Sequence, residues 1–147
     1  MKNHSIYDTL LSKELSFNIG IIVIFSIVII ALIFSSIKFF GSKKLSIISA
    51  VMGLVIIIGI YWFCINPYRV DVKDQAYDTY RGEFYVSEYT ISNRGGEYIY
   101  IQTLNNSSIS RYKVICDADG IKNNTTYYGY FVVAKNSKAL VDIYFED

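Results

Sequence analysis

Two long apolar blocks fill the first half of the chain, and a period-two alternation takes over in the second. No residue is charged from Leu15 to Ile37, and none from Leu45 to Tyr68. The heart of the first block, Ile19 to Phe34, is almost entirely Ile, Val, Phe and Leu. A helix through Leu15–Ile37 would be about 34 Å long and one through Leu45–Ile65 about 31 Å, each enough to cross a hydrocarbon core of roughly 30 Å. Neither block has the polar face that a soluble core helix keeps toward water. A cleaved signal peptide fits no better, because its apolar core is shorter and a small-residue cleavage site follows it. The pattern predicts a transmembrane hairpin over residues 15–66, with spans at about 15–37 and 45–65.

The second block ends in Tyr61-Trp62-Phe63, the aromatic type that settles at headgroup level. Asn66-Pro67 is expected to stop the helix, since Pro donates no amide and restricts the residue before it. The connection Lys38-Phe39-Phe40-Gly41-Ser42-Lys43-Lys44 is short enough to force antiparallel spans. Its three lysines predict a cytoplasmic loop and both termini outside, against the opposing pull of Lys2, Lys13, Arg69 and Lys73. Ser46, Ser49, Ala50 and Gly53 share one helix face, and small residues allow close helix packing in lipid. That face is expected to meet either the first span or a partner protein. No ionisable residue interrupts either span, so the hairpin reads as an anchor rather than an ion pathway. Upstream, Ser5-Ile6-Tyr7-Asp8 resembles a capping box, and Ile6, Leu10 and Leu11 share a helical face. Residues 1–14 therefore fit an interfacial helix or a disordered tail.

After Pro67 the chain reads as five strands: Glu83–Ser92, Glu97–Thr103, Arg111–Asp117, Tyr127–Ala134 and Ala139–Phe145. Asn93-Arg94-Gly95-Gly96, Asn105 to Ser108 and Lys135 to Lys138 are the turns, and a longer polar connection precedes the fourth strand. The expected fold is membrane α+β. It consists of the two-helix hairpin and, over 67–147, a small five-stranded antiparallel β domain. An OB-like Greek-key barrel suits it best, with a meander as runner-up. Val70–Tyr80 is either a short helix or an extended tether. Alternation places Ile99 and Ile101 on one face, and sets Val141, Ile143 and Phe145 against Leu140, Asp142 and Tyr144. About ten such side chains, at roughly 1.5–3 kcal/mol each, make a modest core.

Charge and composition narrow the function. Residues 67–147 carry nine Lys or Arg against eleven Asp or Glu, so this half is no nucleic-acid binder. Its one cysteine, Cys116, has only Cys64 in the apolar half for company, so no disulfide framework staples the domain. That suits export in bacteria better than an animal extracellular module. His4, the single histidine, lies in the N-terminal tail, so no nucleophile–base pair can be assembled in the β half. Asp117-Ala118-Asp119-Gly120 opens like a calcium loop, but the later ligand positions hold Ile121, Lys122 and Tyr128, which leaves turn chemistry as the better reading. Glu83, Glu88 and Asp142 are the strand carboxylates that acid–base chemistry would need to bring together. Gly95-Gly96 lacks the context of a phosphate cradle, and Asn105, Asn106, Asn123 and Asn124 are glycosylation acceptors only in a host that glycosylates. No catalytic residue, metal or cofactor is expected.

The remaining excess is tyrosine, with twelve of fourteen after residue 66. Strands favour the residue, and so do binding surfaces. Tyr98, Tyr100, Tyr128 and Tyr130 recur at period two and form the expected partner-binding face. The expected function is a non-enzymatic protein-binding domain held on the outer face of a bacterial cytoplasmic membrane. Its most concrete form is an immunity or exclusion protein against a secreted toxin, bacteriocin or phage. The alternatives are an accessory subunit of a transporter, secretion system or sensor, and an envelope hydrolase. The expected partners are the lipid bilayer and a protein.

Overall fold

A computed structural model describes residues 4–40, 43–92, 96–104 and 106–146. Helix α1 spans His4–Phe40 and α2 spans Lys43–Ile60. Both are long and apolar enough to cross a membrane. Their apolar side chains point outward on all sides, with Phe17, Ile24, Leu32 and Phe34 between 62% and 69% exposed. The two helices pack at Gly53, where an added Cβ would sit 2.6 Å from Ile29 Cγ2 of α1.

The helix does not stop at Asn66-Pro67. A π-turn, Tyr61–Ile65, leads straight into α3, Asn66–Asp74. In that turn the Asn66 N–H donates to the Tyr61 carbonyl, five residues back. The wider turn absorbs what proline would otherwise break: Pro67 has no N–H to give and enters at the first turn of α3, where none is required. The predicted boundary is thus a change of helix type.

Five strands follow: β1 Tyr77–Ser92, β2 Gly96–Thr103, β3 Asn106–Val114, β4 Thr125–Ala134 and β5 Ala139–Glu146. Val70–Tyr80 is divided between α3 and the start of β1. The ring order is β1-β2-β3-β5-β4, closing where β4 returns to β1. Strand β3 therefore neighbours β5 rather than β4, as no plain meander could. The β3–β5 pair is parallel, Lys113 opposite Ala139 and Val114 opposite Leu140, which corrects the all-antiparallel expectation to a mixed sheet. The long β3–β4 connection is what allows this crossing.

Strand β1 serves both neighbours, which is why it extends six residues before the predicted start. Tyr77–Val86 pairs with β4 and Phe84–Ser92 with β2. It bends at Gly82, whose φ of +129° no side-chain-bearing residue adopts easily and which lies opposite Gly129. A second irregularity falls between Val86 and Glu88. Phe84, Val86, Ile99, Ile101, Val114, Phe131, Val133 and Leu140 fill the interior. The Phe131 ring lies 5.2 Å from Tyr80 and 5.3 Å from Phe84.

Strand β5 departs from simple alternation. A bulge lies between the pairs Val132–Asp142 and Val133–Leu140. It turns Val141 outward while Ile143 and Phe145 pack on the interior. Val141 instead joins Val132, Ala134 and Ala139 in a second cluster, covered by Tyr7 and Leu11 of α1 and Tyr68 of α3. The run Phe131-Val132-Val133-Ala134 is buried on both faces for that reason.

Residues 4–14 are accordingly neither a disordered tail nor a helix separate from the first span. They are the first turns of α1. At 37 residues α1 is about 55 Å long, well beyond the roughly 30 Å of a hydrocarbon core, and the surplus leans on the β domain. Leu11 is fully buried there. Polar contacts flank it. The Tyr7 hydroxyl donates to Asp142 Oδ2 at 2.9 Å. Asp8 accepts from the Tyr77 hydroxyl and from Gln75 Nε2. Glu14 pairs with Lys113 of β3. From the other side Asp71 of α3, itself fully buried, clasps the β4–β5 turn by accepting from the Asn136 backbone and side-chain amides and from the Ser137 N–H. The β domain is thereby held by polar contacts at β1, β3, β5 and the β4–β5 turn and by apolar cover at β4, with α1 and α3 as two struts.

Candidate functional site

A prominent concavity lies beside the α1 strut. It is an open cleft of about 510 Å³ between the first turns of α1, the segment after β3 and the outer edge of β5. Ile6, Leu10 and Ile143 give it apolar patches, and Asp117, Asp119, Asp142 and the Tyr7 and Tyr144 side chains make the rest polar. Its described lining includes three carboxylates and neither Lys nor Arg.

Local chemistry fixes each wall. The Asp119 N–H donates to Asp117 Oδ1 at 3.2 Å, an Asx-type turn that accounts for the Asp-Ala-Asp-Gly sequence. Gly120 continues that turn at a φ of +85°. Ala118, between the two aspartates, is buried against the barrel interior. Further along the connection, Asn123 Oδ1 accepts the Tyr89 N–H next to the β1 irregularity, and Asn124 Oδ1 accepts the Tyr85 hydroxyl. The Lys122 N–H donates to the Tyr127 hydroxyl at 2.7 Å. The polar connection is thus tied to three tyrosines of the barrel. On the β5 side, the buried Asp142 carboxylate takes the Tyr7 hydroxyl and, at 3.4 Å, that of Tyr130.

The four tyrosines of the expected binding face fall into two groups. Tyr98 and Tyr100 lie on β2 beneath Arg111, whose guanidinium sits 3.9 Å from the Tyr98 ring centroid and 6.0 Å from that of Tyr100. Tyr128 and Tyr130 lie on β4, on the far side of β1. Tyr130 stacks on Tyr144 at 5.6 Å and so adjoins the cleft, while Tyr128 is 63% exposed. They do not form one face. Most other tyrosines hold the fold together: Tyr89 donates to Glu97 at 2.6 Å, and that bond pushes its hydroxyl pKa up to about 12. Tyr77 is also raised, by burial and by its bond to Asp8.

The other residues singled out are dispersed. Glu83 and Glu88 are exposed on β1, opposite Tyr128 and Tyr100, and do not meet Asp142. The carboxylates that do share a cleft with Asp142 are Asp117 and Asp119. Sequence reasoning missed that convergence, since it depends on the crossing from β3 to β4. Among the described residues no group of three or more His, Cys, Asp or Glu is placed to hold a metal ion. Cys64 is exposed, Cys116 is half-buried just beyond β3 rather than within a strand, and neither is in a disulfide. His4 opens α1, and its side chain lies outside those described, as does that of Ser46. Ser49 has a buried hydroxyl without a hydrogen-bond partner, and Ala50 is exposed. Asn93–Gly95 and Asn105 lie outside the described residues.

No family model matches the chain, and no curated protein or solved structure does so either. The reading of function therefore rests on geometry.

Proposed function

We propose that the chain is a membrane-anchored, non-enzymatic protein-binding domain on the outer face of a bacterial cytoplasmic membrane. Its concrete form is an immunity or exclusion protein against a secreted toxin, bacteriocin or phage. Helices α1 and α2 cross the bilayer, the lysine-bearing connection stays inside, and the β domain, an OB-type barrel by its strand order, stands outside.

One observation carries the reading: the barrel is buttressed by α1 and α3 instead of hanging on a tether, and α1 also forms a wall of the carboxylate-lined cleft. A rigidly presented concavity loses little conformational freedom when a partner docks. Its chemistry favours a partner carrying basic side chains on an apolar stem, with lysine or arginine meeting Asp117 and Asp119. The test is protection. A sensitive strain expressing the chain should survive one cognate toxin or phage, and Asp119→Lys with Tyr144→Ala should abolish survival at unchanged membrane abundance. Survival unaffected by those changes would exclude the cleft.

The three carboxylates that line the cleft support one other reading, an envelope hydrolase. Asp142 already accepts two tyrosine hydroxyls, and acid–base chemistry needs a second carboxyl kept protonated in an apolar pocket. Hydrolysis of peptidoglycan or ester substrates by the purified chain, lost on Asp142→Asn, would favour that reading.

A further inference from the structure

A second groove, of about 280 Å³, lies where the helices meet the underside of the barrel. Phe63 and Pro67 form its apolar edge; Asn18, Lys113, Asn136 and Ser137 supply the polar wall. We propose that it holds the phosphate of a phospholipid headgroup from the outer leaflet, an inference that rests on the membrane reading above.

The level of the groove is the first argument. Asn18 lies in the first turn of one apolar block and Phe63 near the end of the other. Trp62 and Phe63 are 61% and 84% exposed, as aromatic side chains at the headgroup boundary are. The second argument is unmet hydrogen bonding. The Ser137 Oγ atom is buried and has no hydrogen-bond partner among the described residues. The Asn18 side chain makes no hydrogen bond among the described residues, although it is polar and lies at the margin of an otherwise apolar span. A buried hydroxyl left unpaired is costly, and a phosphate oxygen would satisfy it while also accepting from the Asn18 amide. The third argument is charge. Lys113 is fixed in the wall by its pair with Glu14, which takes one of its three N–H donors and leaves two. The volume suits a phosphate and its glycerol carbons but not acyl chains, which would run down beside Phe63 into the bilayer.

Membrane integration of the full-length chain is established first, by resistance to carbonate extraction, so that loss of the membrane reading is seen separately. The protein is then purified in mild detergent, stripped of lipid, and titrated in native mass spectrometry with three probes. These are phosphatidylglycerol, diacylglycerol with the same acyl chains, and inorganic phosphate. Retention of one phosphatidylglycerol, with diacylglycerol about tenfold weaker, is expected for a site built around a charge-assisted phosphate contact. Asn18→Leu with Ser137→Ala should weaken phosphatidylglycerol by about tenfold at unchanged circular dichroism. Lys113→Gln, which keeps a donor for Glu14, should do the same and serves if the double variant does not fold. Equal retention of diacylglycerol, uptake of inorganic phosphate without lipid, or undiminished binding by the variants would each overturn the proposal.

Discussion

Replacing Leu11 by alanine tests whether the start of α1 braces the barrel. Leu11 is fully buried between Tyr68 and the outward side chains of β4 and β5. Large-to-small changes at such sites cost about 2–5 kcal/mol, the transfer of the lost carbons plus the cavity left behind. The site is a contact between a helix and a sheet, which can close up in part, so a value of about 3 kcal/mol is expected. At a urea slope of roughly 2 kcal/mol per M, this moves the barrel's unfolding midpoint down by about 1–2 M. The assay is urea unfolding of the full-length chain in detergent, followed through the near-ultraviolet circular dichroism of the tyrosines. Ile6→Ala, five residues before it at a position 52% exposed, is the control and should stay within about 0.5 kcal/mol of wild type. If Leu11 instead lay on a lipid surface, the barrel would not sense its loss. A Leu11→Ala midpoint equal to that of Ile6→Ala would refute the reasoning.

Asp71→Asn keeps the shape of the clasp but replaces one acceptor oxygen by an NH2 donor that faces other donors, so a loss of about 2–4 kcal/mol is expected in the same unfolding assay. Gly53→Leu should separate α1 from α2, read as faster protease cleavage of the hairpin in detergent, because its side chain would occupy the space of Ile29. For that reason this variant reports on the hairpin itself and does not distinguish a free-standing binder from an accessory subunit. Tyr89 is raised to about 12 chiefly by its bond to Glu97. Its folded pKa lies above the unfolded value near 10, so the bond's contribution is whole below pH 10 and vanishes as pH rises toward 12. Glu97→Gln should bring the Tyr89 titration, followed by carbon-13 shifts, back toward 10, and an unchanged titration would contradict the assigned cause.

Much of the architecture could be read from residue order, and the parts that could not share a physical reason. Apolar blocks and strand alternation are local, so the second span and strands β2, β4 and β5 came out close to their observed bounds, whereas α1 begins eleven residues before the predicted first span. Ring closure through a parallel β3–β5 pair joins segments 26 residues apart, and no short-range pattern encodes it. The strut was misread because Leu11 on a short helical face looks the same whether lipid or a sheet covers it. A signal was available in Phe131-Val132-Val133-Ala134, where an unbroken apolar run requires cover on both faces. Pro67 misled because a π-turn lets a helix pass proline without breaking. The cleft was invisible for the same reason as the closure: Asp117 and Asp119 come to line one cleft with Asp142 only across the fold. Of the expected tyrosine face, Tyr130 adjoins that cleft by stacking on Tyr144, whereas Tyr98 and Tyr100 sit under Arg111 on another side.

The account turns on which side of the membrane the barrel occupies. In a chain carrying Cys64→Ser and Cys116→Ser, one new cysteine is placed at Tyr128, exposed on β4, and in a separate chain at Lys38, near the end of α1. Intact spheroplasts are treated with a membrane-impermeant maleimide. Labelling of Tyr128→Cys at once, and of Lys38→Cys only after permeabilisation, is the expected result. The reverse pattern would place the barrel in the cytoplasm and contradict the account.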